Sequence, residues 1–256
     1  MEQNGTFDMM GNVYEWNETL IGSSRGIRGG ASNSSGDDIA SWDRSALGVQ
    51  FKEYWPVGFR VASNVKGGSV SEEIDLLKLA DPARDEVIGK WTLSEGNLTV
   101  DGTAAARISF PYEPPEEYDF VIEFSVSKAP SCIAQLVCKG EVPFTWSMNA
   151  GNPRRCRIED IDGHSVIGNT TLRPLYSFEA GKKYTLIVEV RNDRVRCLIN
   201  GELIVEHKTN YSDLSRNKKW TMPEQLRLGL GTWDGPTTFY RIATREVTGK
   251  GRFADK

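Results

Sequence analysis

In the second half of the chain, apolar and polar side chains alternate strictly. Phe120, Ile122, Phe124 and Val126 alternate with Val121, Glu123 and Ser125. A period of two places one set on a buried face and the other on a more polar face, which predicts a strand over residues 119–127. Leu186, Val188 and Val190 repeat the pattern, as do Val195, Cys197 and Ile199. Asn192-Asp193 separates these two runs, and Asn200-Gly201 leads from the second into residues 203–206. Asn-Gly tolerates positive φ at both central positions of a tight hairpin, so the three runs are expected to form a meander. Further strands are expected over residues 105–110, 133–139, 144–148, 156–161, 225–231 and 239–247. So many short strands, with almost no helix, imply an all-β protein of two antiparallel sheets packed face to face. One short helical turn is expected in residues 74–79, ending before Pro82 because the residue preceding a proline avoids the helical region.

Residues 1–63 differ in texture, mixing Gly, Ser, Asn and Trp with little periodicity. The small, polar stretch 64–73 reads as a linker. The expected organisation is an N-terminal part (1–63), a linker (64–74), a β domain (75–250) and a short tail (251–256). Hydrophobic residues at 39% and charged residues at 26% are enough for a buried core. The net charge is −4 and no basic patch dominates, which argues against nucleic acid as a partner. No run of 18 apolar residues is present, so no membrane span is expected. Cys132, Cys138, Cys156 and Cys197 form no CxxC pair and the chain has only 2 His, so a structural zinc site is not expected. Each cysteine sits in an apolar or alternating run, where a free buried thiol is the default. The 7 Trp suit a sugar-stacking surface, and equally an ordinary sandwich core.

The order of features in the second part is a strand ending in Lys139-Gly140, a Trp-bearing strand, a meander closing on residues 198–204, and then Leu228-Gly229-Leu230-Gly231 before a long final strand. This resembles the concanavalin A-like lectin/glucanase superfamily in its laminin-G-like form, over about residues 75–250. The resemblance implies a jelly-roll sandwich. It does not choose among sugar binding, protein binding and glycoside hydrolysis. Glucanases of the superfamily place Glu, Asp and Glu at alternating positions of one strand; here the series starting at Glu159 meets Ile161 and breaks. Asp160 and Asp162 share a face, but Asp162-Gly163 has the composition of a turn. No catalytic residue is therefore assigned. A sugar site needs an aromatic platform ringed by polar groups. Gln135, Lys139, Trp146, Asn149, Glu159 and Trp233 are the candidates, with Trp146 equally placed to be core and Trp233 in a loop-like stretch near the surface.

The first part carries three blocks in order: Asp8-Met-Met-Gly11-Asn12-Val13-Tyr14-Glu15-Trp16, then Arg28-Gly29-Gly30-Ala31-Ser32, then Gly58-Phe59-Arg60. They resemble the C-terminal signature of the formylglycine-generating-enzyme (sulfatase-modifying factor) family. The resemblance implies an irregular, C-type-lectin-like fragment, representing only the C-terminal part of that domain. Oxidase members carry two cysteines after the Arg-Gly-Gly block to bind Cu(I), a soft ion suited to thiolates. The corresponding positions here are Ser34 and Ile39, so neither copper nor formylglycine formation is expected. The family also binds calcium at positions matching Asp8, Gly11, Val13 and Glu15, all of which keep oxygen donors here, so calcium is a candidate ion. The module is often fused to other domains in bacterial sequences, which implies an extracytoplasmic interaction protein by analogy.

Three functions remain open. The first is a non-catalytic protein recognising a carbohydrate or surface polymer. The second is a protein-interaction or structural laminin-G-like module. The third is a glycoside hydrolase acting through Glu159 and Asp162 or through carboxylates distant in sequence.

Overall fold

The computed structural model describes residues 73–128 and 131–254 in full and, within residues 1–72, the backbone of four strands. The chain divides into two compact units, Met1–Gly68 and Ser69–Lys256. In the first unit, β1 (Tyr14–Ile21), β2 (Ser24–Arg28), β3 (Ser45–Leu47) and β4 (Val57–Gly58) form one sheet in the order β3-β2-β1-β4. Asp8, Gly11 and Val13, the expected calcium donors, lie outside the described residues, as do Ser34 and Ile39. Of Glu15 only the backbone is described, paired with Arg28 and Gly58.

The second unit is an antiparallel sandwich. It opens with β5 (Ile74–Asp75), a helix α1 (Pro82–Asp85), β6 (Glu86–Ile88), β7 (Trp91–Ser94), β8 (Asn97–Val100), β9 (Ala106–Ser109) and β10 (Tyr112–Glu113). The central strands are β11 (Glu117–Val126), β12 (Cys132–Lys139), β13 (Val142–Ala150) and β14 (Arg155–Ile158). The meander follows as β15 (Lys183–Val190), β16 (Arg194–Ile199) and β17 (Glu202–Lys208). The chain closes with β18 (Gly229–Trp233), β19 (Thr237–Thr248) and β20 (Arg252–Phe253). One sheet runs β17-β16-β15-β11-β19-β8-β7, with β5 also on β19; the other runs β14-β13-β12-β18-β9-β6; β10 and β20 pair separately.

The expected meander is present. Asn200 and Gly201 take φ of 49° and 83°, the positive values a tight two-residue turn demands. The Asn200 side chain also accepts the Thr185 N–H at 2.9 Å, locking the hairpin to β15. The helical turn is displaced from its expected place. Ile74 and Asp75 pair with Thr244 and Ala243 as a strand, and the helix begins at Pro82 itself. Proline fits the first helical position because the N–H it lacks has no partner there, and the Asp81 carboxylate caps Ala83 N–H. β6, β7 and β8 had no counterpart in the periodicity, because strands of three or four residues are too short to show one.

The core lies between the sheets. Phe120, Ile122 and Phe124 of β11 and Leu186, Val188 and Val190 of β15 face Ile133, Val137, Phe144, Trp146 and Ile158 from the other sheet. A second cluster of Cys132, Ala134, Leu136, Ala150, Trp220 and Met222 is separate from it and includes the alternate residues of β12. All four cysteines are free and buried.

Tyr118 ties the two sheets together. Its fully buried hydroxyl donates to Cys138 O at 2.6 Å and accepts from Cys138 N–H at 3.1 Å. Removing that oxygen leaves two buried backbone groups unpaired. Tyr118→Phe is therefore expected to lower unfolding free energy by about 2 kcal/mol, read from the urea midpoint. An unchanged midpoint would show that the bridge contributes nothing.

Candidate functional site

The site is built on the outer face of the β14-β13-β12-β18-β9-β6 sheet. Five residues line up across its strands, Arg107, Gly231, Ala134, Ser147 and Arg157, each opposite the next. Residues opposite one another share a face. The middle of this row has little or no side chain, and an aromatic ring fills the space. A Cβ added at Gly231 would stand 2.5 Å from the Trp220 ring, and one at Gly229 would stand 2.7 Å from Met222 Sδ. The Leu228-Gly229-Leu230-Gly231 alternation thus has leucines facing the core and glycines leaving room for Trp220 and Met222.

Trp220 arrives on the segment between β17 and β18, at the end of a 3-10 turn, Lys218–Trp220. Several bonds pin that segment to the sheet. Asn217 caps the turn through Lys219 N–H at 3.1 Å and donates to Asp160 Oδ2 at 2.9 Å. Arg107 donates to Lys219 O, and Arg216 donates to Val137 O at 2.8 Å. The Trp220 indole N–H donates to Glu159 Oε1 at 3.2 Å, and the Ser147 hydroxyl donates to the same oxygen at 2.7 Å. Arg157 Nη2 stands 3.8 Å from it.

Beside Trp220 is a cavity of about 450 Å³, within the size range of small-ligand sites. Trp233, at the end of β18, forms the adjoining wall; the two rings meet edge to face, 6.3 Å apart and nearly perpendicular at 86°. Trp233 is partly exposed, whereas Trp220 is buried. The Lys219 ammonium sits 5.7 Å from the Trp233 ring centre. Arg154 forms an ion pair with Asp234 and donates to Asn149 O at 3.2 Å, closing the third side. Cys132 also lines the cavity. Burial pushes its thiol pKa up, and the nearby Glu159 charge acts in the same direction, so it stays a neutral thiol.

Of the six expected ligand residues, the cavity brings together Asn149, Glu159 and Trp233. The Asn149 amide is already engaged: it donates to Tyr176 O at 2.9 Å and Ser131 O at 3.3 Å, and accepts from Tyr176 N–H at 2.9 Å. It shapes the wall and has no free donor for a ligand. Gln135 and Trp146 are corrections. Both are fully buried between the sheets, and Gln135 donates to Phe120 O at 2.9 Å. Gln135 alternates with Ala134 and Leu136, so it shares the inward face of Ile133 and Val137. Lys139 is also misplaced as a ligand residue. Its ammonium bonds Glu116 O at 2.7 Å and Asn192 Oδ1 at 2.8 Å and lines no part of the cavity. Asp162 is exposed in a turn with φ of 49°, so it does not join Glu159 in the cavity.

The periodicity missed Trp220, Arg154, Lys219 and Asp234, which sit outside the strands or at their ends. Arg157 was within reach, because it lies between the inward Cys156 and Ile158 and must point outward.

No protein-family model matches the chain, and no curated protein matches it. Solved structures show partial likeness. A carbohydrate-binding module, CBM66 from Bacillus subtilis, is 12% identical with a TM-score of 0.45, covering 63% of this chain and 94% of that one. A Bacillus subtilis protein of unknown function with a galectin-like fold is 15% identical with a TM-score of 0.46, covering 68% and 94%. The apo Crh5 transglycosylase is 13% identical with a TM-score of 0.47, covering 70% and 85%. Likeness at this level says nothing about ligand or activity.

Glu159 is the polar centre of the site. Glu159→Ala would leave the buried Arg157 cation without its counter-charge and the Trp220 and Ser147 donors without their acceptor. A loss of about 3 kcal/mol in unfolding free energy is expected, against about 1 kcal/mol for Glu159→Gln, which keeps an acceptor oxygen. Urea unfolding of the two variants checks this, and equal midpoints would contradict it.

Proposed function

We propose that the sandwich unit is a non-catalytic carbohydrate-binding module whose ligand lies in the cavity that Trp220 and Trp233 line. The observation that carries this reading is the pair of perpendicular tryptophans, one rigidly buried and one partly exposed, facing a cavity edged by Arg154, Arg157, Asn217 and Lys219. Sugars present apolar C–H faces and a rim of hydroxyls, so aromatic walls with polar edges match both. Hydrolysis would require two carboxyls, one acting as acid and the other as base or nucleophile. The two carboxylates here are held otherwise: Asp234 is paired with Arg154, and Glu159 is held by Ser147, Trp220 and Arg157. For residues 1–63, the three motif blocks support a formylglycine-generating-enzyme-like fragment with calcium at Asp8, Gly11, Val13 and Glu15.

A glycan array run with the purified chain, with calcium and with chelator, tests both parts. Selective binding that Trp233→Ala weakens by about tenfold is the expected result, because an aromatic contact contributes roughly 0.5–1.5 kcal/mol beyond its buried area and about 1.4 kcal/mol is tenfold. Binding lost on chelation would implicate the first unit. A blank array, or a Trp233→Ala variant that binds like the parent, would turn the reading toward a protein-interaction module.

A further inference from the structure

The charge around this cavity is unbalanced in a direction opposite to the rest of the protein. The chain as a whole carries −4. Among the described residues that line the cavity, three cations, Arg154, Arg157 and Lys219, meet two carboxylates, Glu159 and Asp234; Arg107 on the same face and Asp160 behind Asn217 offset one another. Arg154 and Asp234 neutralise one another. Glu159 is shared among Ser147, Trp220 and Arg157, and Arg157 lies beyond hydrogen-bond reach of it at 3.8 Å. Arg107 and Lys219 have no carboxylate within ion-pair distance among the described residues.

Arg157 carries the inference. Its side chain is only 6% exposed, and it lines the cavity. Nη1 donates to Ala150 O at 3.0 Å, whereas Nη2 has the Glu159 carboxylate 3.8 Å away and makes no hydrogen bond among the described residues. Buried donors are almost always paired, so an unpaired Nη2 on a residue that lines a cavity marks a place for an acceptor. Lys219 stands at the same cavity, exposed and with no hydrogen bond from its side chain among the described residues, held near Trp233. An unpaired guanidinium nitrogen and a free ammonium at one cavity suit an oxyanion, to which charged donors make the stronger hydrogen bonds.

Building on the glycan-binding reading, we infer that the ligand is an acidic sugar: a pyranose ring against the tryptophans, with its carboxylate or sulfate reaching Arg157 and Lys219. The field of the unbalanced cations draws such a polymer to this face and repels cationic ones. Neutral glycans fit the aromatic walls but offer Arg157 only hydroxyl acceptors, which make weaker bonds than an oxyanion.

The test compares polymers that differ only in charge: polygalacturonate against its methyl ester, and dextran sulfate against dextran. Affinity electrophoresis of the full chain and of Lys219→Met reads all four. Lys219 is used because it is exposed and its side chain makes no hydrogen bond or ion pair among the described residues, whereas Arg157→Gln alters a buried residue. The charged member of at least one pair is expected to bind about tenfold more tightly than its neutral partner, the factor that one good charged contact supplies. Lys219→Met should narrow that gap about threefold, as for an exposed charge. Preference for polygalacturonate identifies a carboxylate, and preference for dextran sulfate identifies a sulfate. Equal or tighter binding of the neutral members overturns the inference and leaves the glycan reading standing. Retention of none of the four also overturns it; the glycan array then decides whether the broader reading falls too. A Lys219→Met variant with an undiminished gap removes Lys219 from the site and overturns the assignment.

Discussion

The seating of Trp220 on a sheet that has no side chain beneath it governs the outer face of this protein. A strand interior with glycine at Gly229 and Gly231 loses β propensity and packing area. Here an indole and a methionine recover both, lying where side chains would have been. Seating the ring brings its N–H to Glu159 and positions the chain so that Lys219 and Asn217 border the cavity. The tryptophan is thus both the lid of a small second core and one wall of the site. Anything added to Gly231 would push against the ring itself and so would alter stability and the site together.

The sandwich separates two kinds of interior. Between the sheets, aromatic and β-branched side chains pack with few polar groups; Gln135 donates to Phe120 and Tyr118 bridges to Cys138, while Gln135 Oε1 and the Trp146 indole N–H have no partner among the described residues. On the outer face, burial coexists with charge. Arg157 and Glu159 are both buried; Glu159 accepts from Ser147 and Trp220, whereas Arg157 Nη2 makes no hydrogen bond among the described residues. Incompletely paired polar groups in a closed interior are costly. At the wall of an open cavity they are the groups that a ligand completes.

Much of the sandwich was legible as alternation. β11, β15 and β16 show period two in Phe120–Phe124, Leu186–Val190 and Val195–Ile199, and Asn200-Gly201 marks its hairpin by backbone chemistry alone. β12 was harder because both faces are apolar: Cys132, Ala134 and Leu136 on one side, Ile133 and Val137 on the other. Polarity then misdirects, and Gln135 was assigned outward although its neighbours at i±2 fix it inside. Trp146 carries the same lesson, since it stands directly opposite Gln135 in the register. The cavity was legible only in part. Trp233 and Glu159 stood out as residue types, but Trp220, Arg154 and Asp234 come together from segments far apart in sequence. Only the small residues Ala134, Gly229 and Gly231 hinted that something large covers them.

The central claim is that a sugar occupies the cavity that Trp220 and Trp233 line. Indole N–H resonances in a ¹H–¹⁵N spectrum report each tryptophan separately. In a titration with the best-retained array glycan, the Trp220 and Trp233 signals should shift saturably, while those of Trp91 and Trp146, buried in the main core, stay fixed. Saturable shifts elsewhere, with the Trp220 and Trp233 signals unmoved, would contradict it.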